Sequence, residues 1–167
     1  MVTIEEMEKR QFTSVIFEEE NENELYRVTD EEMNQFKQND YLLGRKLAGF
    51  KGEWKDKYHQ DFYTYLELKC CISMNTFKKA MAGNLNSKRN FLYKLAVGFK
   101  MTLDEANNFF ELAGGTLREE CKADYLCIKA LSVQDPEQIE SIEYFAEQFQ
   151  KFTGVTLIKK ARVDKND

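Results

Sequence analysis

The sequence predicts a mainly α chain, α+β overall, with helices in the middle and short strands at the two ends. Three observations carry this. One proline and eight glycines among 167 residues leave too few chain reversals for a turn-rich β-sandwich. Apolar residues recur at helical spacing behind clear N-cap signals through residues 29–152. Runs rich in Phe, Val, Ile and Thr lie only near the termini. With 43% hydrophobic and 13% aromatic residues, the chain can bury a real core and is not disordered wholesale.

Gln11–Glu18 reads as a strand, Asn21–Asn23 as a turn and Glu24–Val28 as a second strand, an N-terminal β-hairpin. Thr29-Asp-Glu-Glu32 is a capping box, in which the Thr29 hydroxyl serves the third amide. Its helix places Met33, Phe36, Tyr41, Leu43 and Leu47 on one side and is expected to stop at Gly49-Phe-Lys-Gly52. A second helix is expected over 54–71, with Tyr58, Phe62, Tyr65 and Leu66 inward. A short helix follows from Met74 to Ala82, then one capped by Ser87 with Phe91, Leu92, Leu95, Ala96 and Phe99 inward. Thr102-Leu-Asp-Glu105 is a second capping box, and its helix closes at Gly114-Gly115. Further helices are expected over 118–131 and from Asp135-Pro136 to about Phe152, stopped by Thr153-Gly154. Val155–Val163 alternates enough for a C-terminal strand. The expected domains are an N-terminal hairpin and helix extension (1–52), a helical domain (53–131), and a C-terminal helix and strand or tail (132–167).

No apolar run approaches the roughly 18 residues of a membrane span. Glu5, Glu6 and Glu8 stand where a signal peptide would be basic and then apolar. A cytoplasmic location is expected. The net charge of −5 hides a strong division. Residues 1–40 carry 12 acidic and 4 basic side chains, net −8. Residues 41–100 carry 4 and 12, net +8. Residues 101–167 carry 13 and 8, net −5. Polyanion affinity depends on local cations, so the basic middle counts for more than the total.

Cys70, Cys71, Cys121 and Cys127 form no CxxC pair, and His59 is the single histidine. No zinc site is expected, and the thiols read as reduced, small apolar residues. His59 near Asp56 and Asp61 has no nucleophile partner, so no catalytic set and no cofactor are expected.

Residues 66–83, LELKCCISMNTFKKAMAG, are the informative stretch. Ile72-Ser73 ends one helix and caps the next, Phe77 follows by four, and Gly83 by six more. Two short helices about a tight apolar turn describe a helix-turn-helix, whose second helix turns its polar face outward. The stretch resembles the lambda-repressor-like, Xre/Cro-type helix-turn-helix family, whose run is roughly L-A-x-x-x-G-[VI]-S-x-x-x-[IVF]-x-x-x-x-x-G. Leu66, Ile72, Ser73, Phe77 and Gly83 match it. Asn86-Ser87, Phe91–Ala96, Met101–Ala106 and Phe109–Gly114 resemble its later helices, so the likeness spans roughly 54–131. It is degenerate at two places: Glu67 stands where the family has a small Ala, and Cys71 where it has Gly.

The resemblance implies an Xre-like bundle with Ser73, Met74, Asn75, Lys78, Lys79 and Ala82 facing the major groove of double-stranded DNA. Asn75 would pair with adenine, and Lys78 and Lys79 would reach guanine edges or phosphates. Lys88 and Arg89, at the next helix start, would contact phosphate. A DNA-binding transcriptional regulator, working as a homodimer and of the kind phages or mobile elements encode, is the first expectation. The second is a non-catalytic interaction protein on the same scaffold, such as a phage-encoded inhibitor of a host nucleic-acid-processing (defence) enzyme.

Overall fold

The structure, a computed structural model, describes residues 29–132 and 141–158. Seven helices make up most of them, and there is no strand among the described residues. They are α1 (Asp30–Tyr58), α2 (Phe62–Cys70), α3 (Met74–Met81), α4 (Lys88–Gly98), α5 (Leu103–Phe110), α6 (Lys122–Leu131) and α7 (Ile142–Thr153). The chain divides into two compact units, Met1–Gln38 and Asn39–Asp167. Of the first, the described residues are the start of α1, where the Thr29 hydroxyl accepts the Glu32 amide at 3.1 Å, as its capping box requires. The expected N-terminal hairpin lies outside the described residues.

The second unit is built around α4. Seven of its residues, Phe91 to Gly98 apart from Lys94, are buried, and it packs against α2, α5, α6 and α7. A boundary at 52/53 would cut α1, whose Leu43, Leu47 and Trp54 enter the same core as residues 62–131. Phe62 is the hub. Its ring touches Phe50 and Trp54 of α1, Phe77 of α3 and Phe99 at the end of α4. Burying a phenylalanine of this kind contributes roughly 2–3 kcal/mol.

Two crossings are close enough to require glycine. A Cβ on Gly44 would stand 2.1 Å from the Met81 carbonyl oxygen, so α1 meets the end of α3 backbone to backbone. A Cβ on Gly98 would stand 2.3 Å from Cys70 Sγ and 2.6 Å from the Lys69 carbonyl oxygen, where α2 and α4 converge.

Several expected boundaries move. Gly49 and Gly52 do not stop α1, which continues to Tyr58. Glycine costs a helix only about 1 kcal/mol, and Phe50 and Trp54 hold the flanking turns in the aromatic core. The break falls at His59, which is left-handed at φ 53°. Asp61 then caps α2, accepting the Tyr63 amide at 3.2 Å and the Thr64 hydroxyl at 2.7 Å. The buried stripe of α1 is shorter than expected: Met33, Phe36 and Tyr41 are exposed, as is half of Tyr58. Residues 118–121 precede α6 without being helical. Ser141 is extended and accepts the Tyr144 amide at 3.1 Å, which caps α7, and the expected start at Asp135-Pro136 lies outside the described residues. Gly154, at φ 77°, ends α7 as expected. Residues 155–158 are irregular, with Leu157 buried. The rest of the expected C-terminal strand lies outside the described residues. No helix among the described residues is long and apolar enough to cross a membrane.

Gly98→Ala should therefore lower stability by about 1–3 kcal/mol, the usual cost of overpacking. Gly49→Ala, with nothing within 4 Å of its added Cβ, should raise it by about 0.5–1 kcal/mol. Urea unfolding of the two variants checks the contrast. Stability should also fall in alkali. Burial lifts the Cys70 and Cys127 thiols above the ordinary 9.0, and burial with the Asp124 hydrogen bond lifts Tyr93 above 10.0. The unfolded chain sheds these protons first, so their contribution is whole below about pH 9 and is lost as pH rises beyond it. Burial also raises Cys71 and Tyr65, and it holds Lys94 below 10.5, which acts in the opposite sense but through one group against five. The urea midpoint should fall between about pH 8 and about pH 10.5.

Candidate nucleic-acid interface

The turn between α2 and α3 is three residues long, Cys71 to Ser73. Cys71 takes the left-handed conformation, φ 54° and ψ 39°, and its N–H donates to the Glu67 carbonyl at 3.2 Å. The position thus demands what a glycine supplies freely, at a cost of about 1 kcal/mol for a residue with a Cβ. Glu67, placed where a small residue was expected, points to solvent and is exposed. Ile72 is buried, and the Ser73 hydroxyl accepts the Thr76 amide at 3.2 Å to start α3.

Phe77 and Ala80 form the inner face of α3. Phe77 meets Phe62 at 5.0 Å and Phe91 at 6.0 Å between ring centroids. At 100° per residue, Met74, Asn75, Lys78, Lys79 and Ala82 share an outer arc of about 140°, and all five are exposed. Gly83, at φ 78°, closes the helix, and the Asn84 N–H reaches back to the Lys79 carbonyl at 2.9 Å.

Sequence reading missed one part of this surface. Lys51 of α1 places Nζ 3.2 Å from the Tyr63 hydroxyl and 4.7 Å from the centre of its ring. Lys78 Nζ lies 6.0 Å from the same ring. Two ammonium groups from different helices therefore gather on one tyrosine of α2. The local charge count included Lys51, but 27 residues separate it from Lys78, and no spacing rule links them.

Ser73, Asn75, Lys78 and Lys79 thus share one open surface, while Lys88 and Arg89 do not join it freely. Lys88 pairs with Asp40 at 3.0 Å, both partly buried. Arg89 turns inward. One of its terminal nitrogens grips both oxygens of Asp124 at 2.7 and 2.8 Å, and the other donates to the carbonyls of Ala113 and Gly115 at 3.0 and 2.7 Å. The donors on both terminal nitrogens of Arg89 are thus taken up inside the fold, where a phosphate contact was expected of it. Burial weakens its charge, but the Asp124 and Tyr93 contacts outweigh this and raise its pKa.

No protein-family model, no curated protein and no solved structure matches the chain.

Arg89→Ala should cost about 3–5 kcal/mol, because it strands the buried Asp124 carboxylate. Lys88→Ala, which removes a partly exposed pair, should cost less than about 1 kcal/mol. Thermal and urea unfolding separate an internal brace from a surface ligand.

Proposed function

We propose that the chain is a DNA-binding regulator of the helix-turn-helix type, with α3 lying in the major groove. The observation that carries the reading is the outer arc of α3. A short helix held by Phe77 and Ala80 turns Asn75, Lys78 and Lys79 outward beside an exposed N-terminus at Ser73.

The chemistry follows from the groups present. An asparagine can bond the N6 and N7 edge of adenine with both ends of its amide. Lys78 and Lys79 can meet guanine edges or phosphates, and Lys51 adds a third cation from α1. Each neutralised phosphate releases condensed counterions, so binding falls as salt rises. The contacting arc contains no arginine, which places more weight on phosphates than on bidentate base reading. An eight-residue helix is only about 12 Å long and spans few base pairs, so a homodimer reading two half-sites is the expected working unit.

Fluorescence anisotropy with a mixed-sequence duplex, over a series of salt concentrations, tests this. The logarithm of affinity should fall linearly with the logarithm of salt. Lys51→Ala, Lys78→Ala and Lys79→Ala should each flatten that slope by about 1. A folded chain that binds no duplex at low salt would sink the reading and leave the interaction-protein alternative in its place.

A further inference from the structure

Asp40 stands on the wrong side of its helix for a carboxylate. It precedes Leu43 and Leu47 by three and seven residues, so it lies on the face that α1 turns to the core. Helical spacing asks for an apolar side chain there. The residue sits where α1 crosses the end of α3. A Cβ on Gly83 would stand 3.5 Å from Asp40 Cβ, and Gly44, one turn further along α1, meets the Met81 carbonyl. From this place the Asp40 carboxylate reaches Lys88, the first residue of α4, with Oδ1 3.0 Å from Nζ.

The pair is weak. Both side chains keep about a quarter of their exposure, and such pairs add little to stability. Its effect on ligand binding is larger. A free lysine near α3 carries counterions that a phosphate can displace, whereas a lysine already neutralised by a carboxylate has few to release. Lys88 follows Lys79 by nine residues, across the short link that closes α3, and it is the cation of this region that an acidic side chain holds at ion-pair distance. Lys78 and Lys79 remain exposed.

We infer that Asp40 takes, on Lys88, the place of a backbone phosphate, and so withholds one cation from the polyanion surface of α3. The inference rests on the DNA-binding reading of α3 and adds a restraint to it. A phosphate that reaches Lys88 must first displace Asp40.

The test measures affinity by fluorescence anisotropy over a salt series, with the full chain and two labelled probes, a mixed-sequence duplex and heparin. Asp40→Asn should steepen the slope of log affinity against log salt by about 1 with both probes and tighten binding about fivefold at low salt. Adding Lys88→Ala to it should return the slope to that of the unaltered chain. Glu67→Gln removes the same charge from an exposed position on α2 and should leave the slope unchanged. Melting should stay cooperative throughout, because the pair is partly exposed. The inference is overturned if Asp40→Asn leaves both slopes unchanged, if its gain survives Lys88→Ala, or if Glu67→Gln gives the same gain. Duplex binding by the unaltered chain without that gain would overturn the restraint alone. A gain seen with heparin, in a chain that binds no duplex, would support the restraint and sink the DNA reading. Binding of neither probe would overturn both.

Discussion

The second unit depends most on one buried ion pair. Asp124 is 1% exposed, and its carboxylate receives Arg89 through both oxygens, the Tyr93 hydroxyl and the Arg118 N–H. A carboxylate taken out of water costs several kcal/mol unless its lone pairs are filled. Here they are filled from α4 and from the loop leading to α6. Arg89 extends the knot by capping the carbonyls of Ala113 and Gly115, beside two glycines at φ 101° and 117°. Its guanidinium also lies 4.9 Å from the Phe110 ring centre. The start of α4, the exit of α5 and the first turn of α6 are joined by a single set of contacts. Among the described residues no buried side-chain polar atom lacks a partner. Such a pair adds little net stability over an apolar replacement, but a fold built around it has few ways to rearrange.

Orientation of α3 follows from the aromatic core on the other side of α4. Phe62 and Phe77 are fully buried, and Phe91 of α4 touches Phe77. With one face of α3 committed to rings, helical periodicity turns its polar residues outward. Gly44 lets α1 reach the last turn of α3, which brings Lys51 of the same helix to Tyr63. The basic surface is thus a product of packing as much as of composition.

Charge is placed in two ways in this unit, paired inside the fold and exposed outside it. Lys78 and Lys79 on α3 stay exposed and solvated, and Lys51 beside them is partly buried against Tyr63. Glu53 and Glu105 also stay exposed, at the edge of a concavity lined by Trp54, Tyr58, Tyr65 and Phe99. The cysteines take part in neither. Cys70 and Cys127 are buried with raised pKa values, which keeps them protonated and unreactive.

What the sequence by itself determined is local. The caps at Thr29, Ser73 and Thr102 form because a hydroxyl reaches an amide three residues on, whatever lies around it. Phe77 and Ala80 fall inside, and Asn75, Lys78 and Lys79 outside, because helical spacing sorts them. The left-handed residue at 71 was legible only through the resemblance, whose pattern carries glycine where this chain has cysteine. Tertiary structure decided the rest. The glycines at 49 and 52 remain helical because rings on either side are held in the core. Arg89 was legible as a helix-start cation, but its partner lies 35 residues away and turns it inward. Lys51 joins Lys78, and Glu53 joins Glu105, only through the packing of separate helices. Whether a charge is spent inside or offered outside depends on what packs against it, and contacts between distant segments leave no periodic mark in the chain.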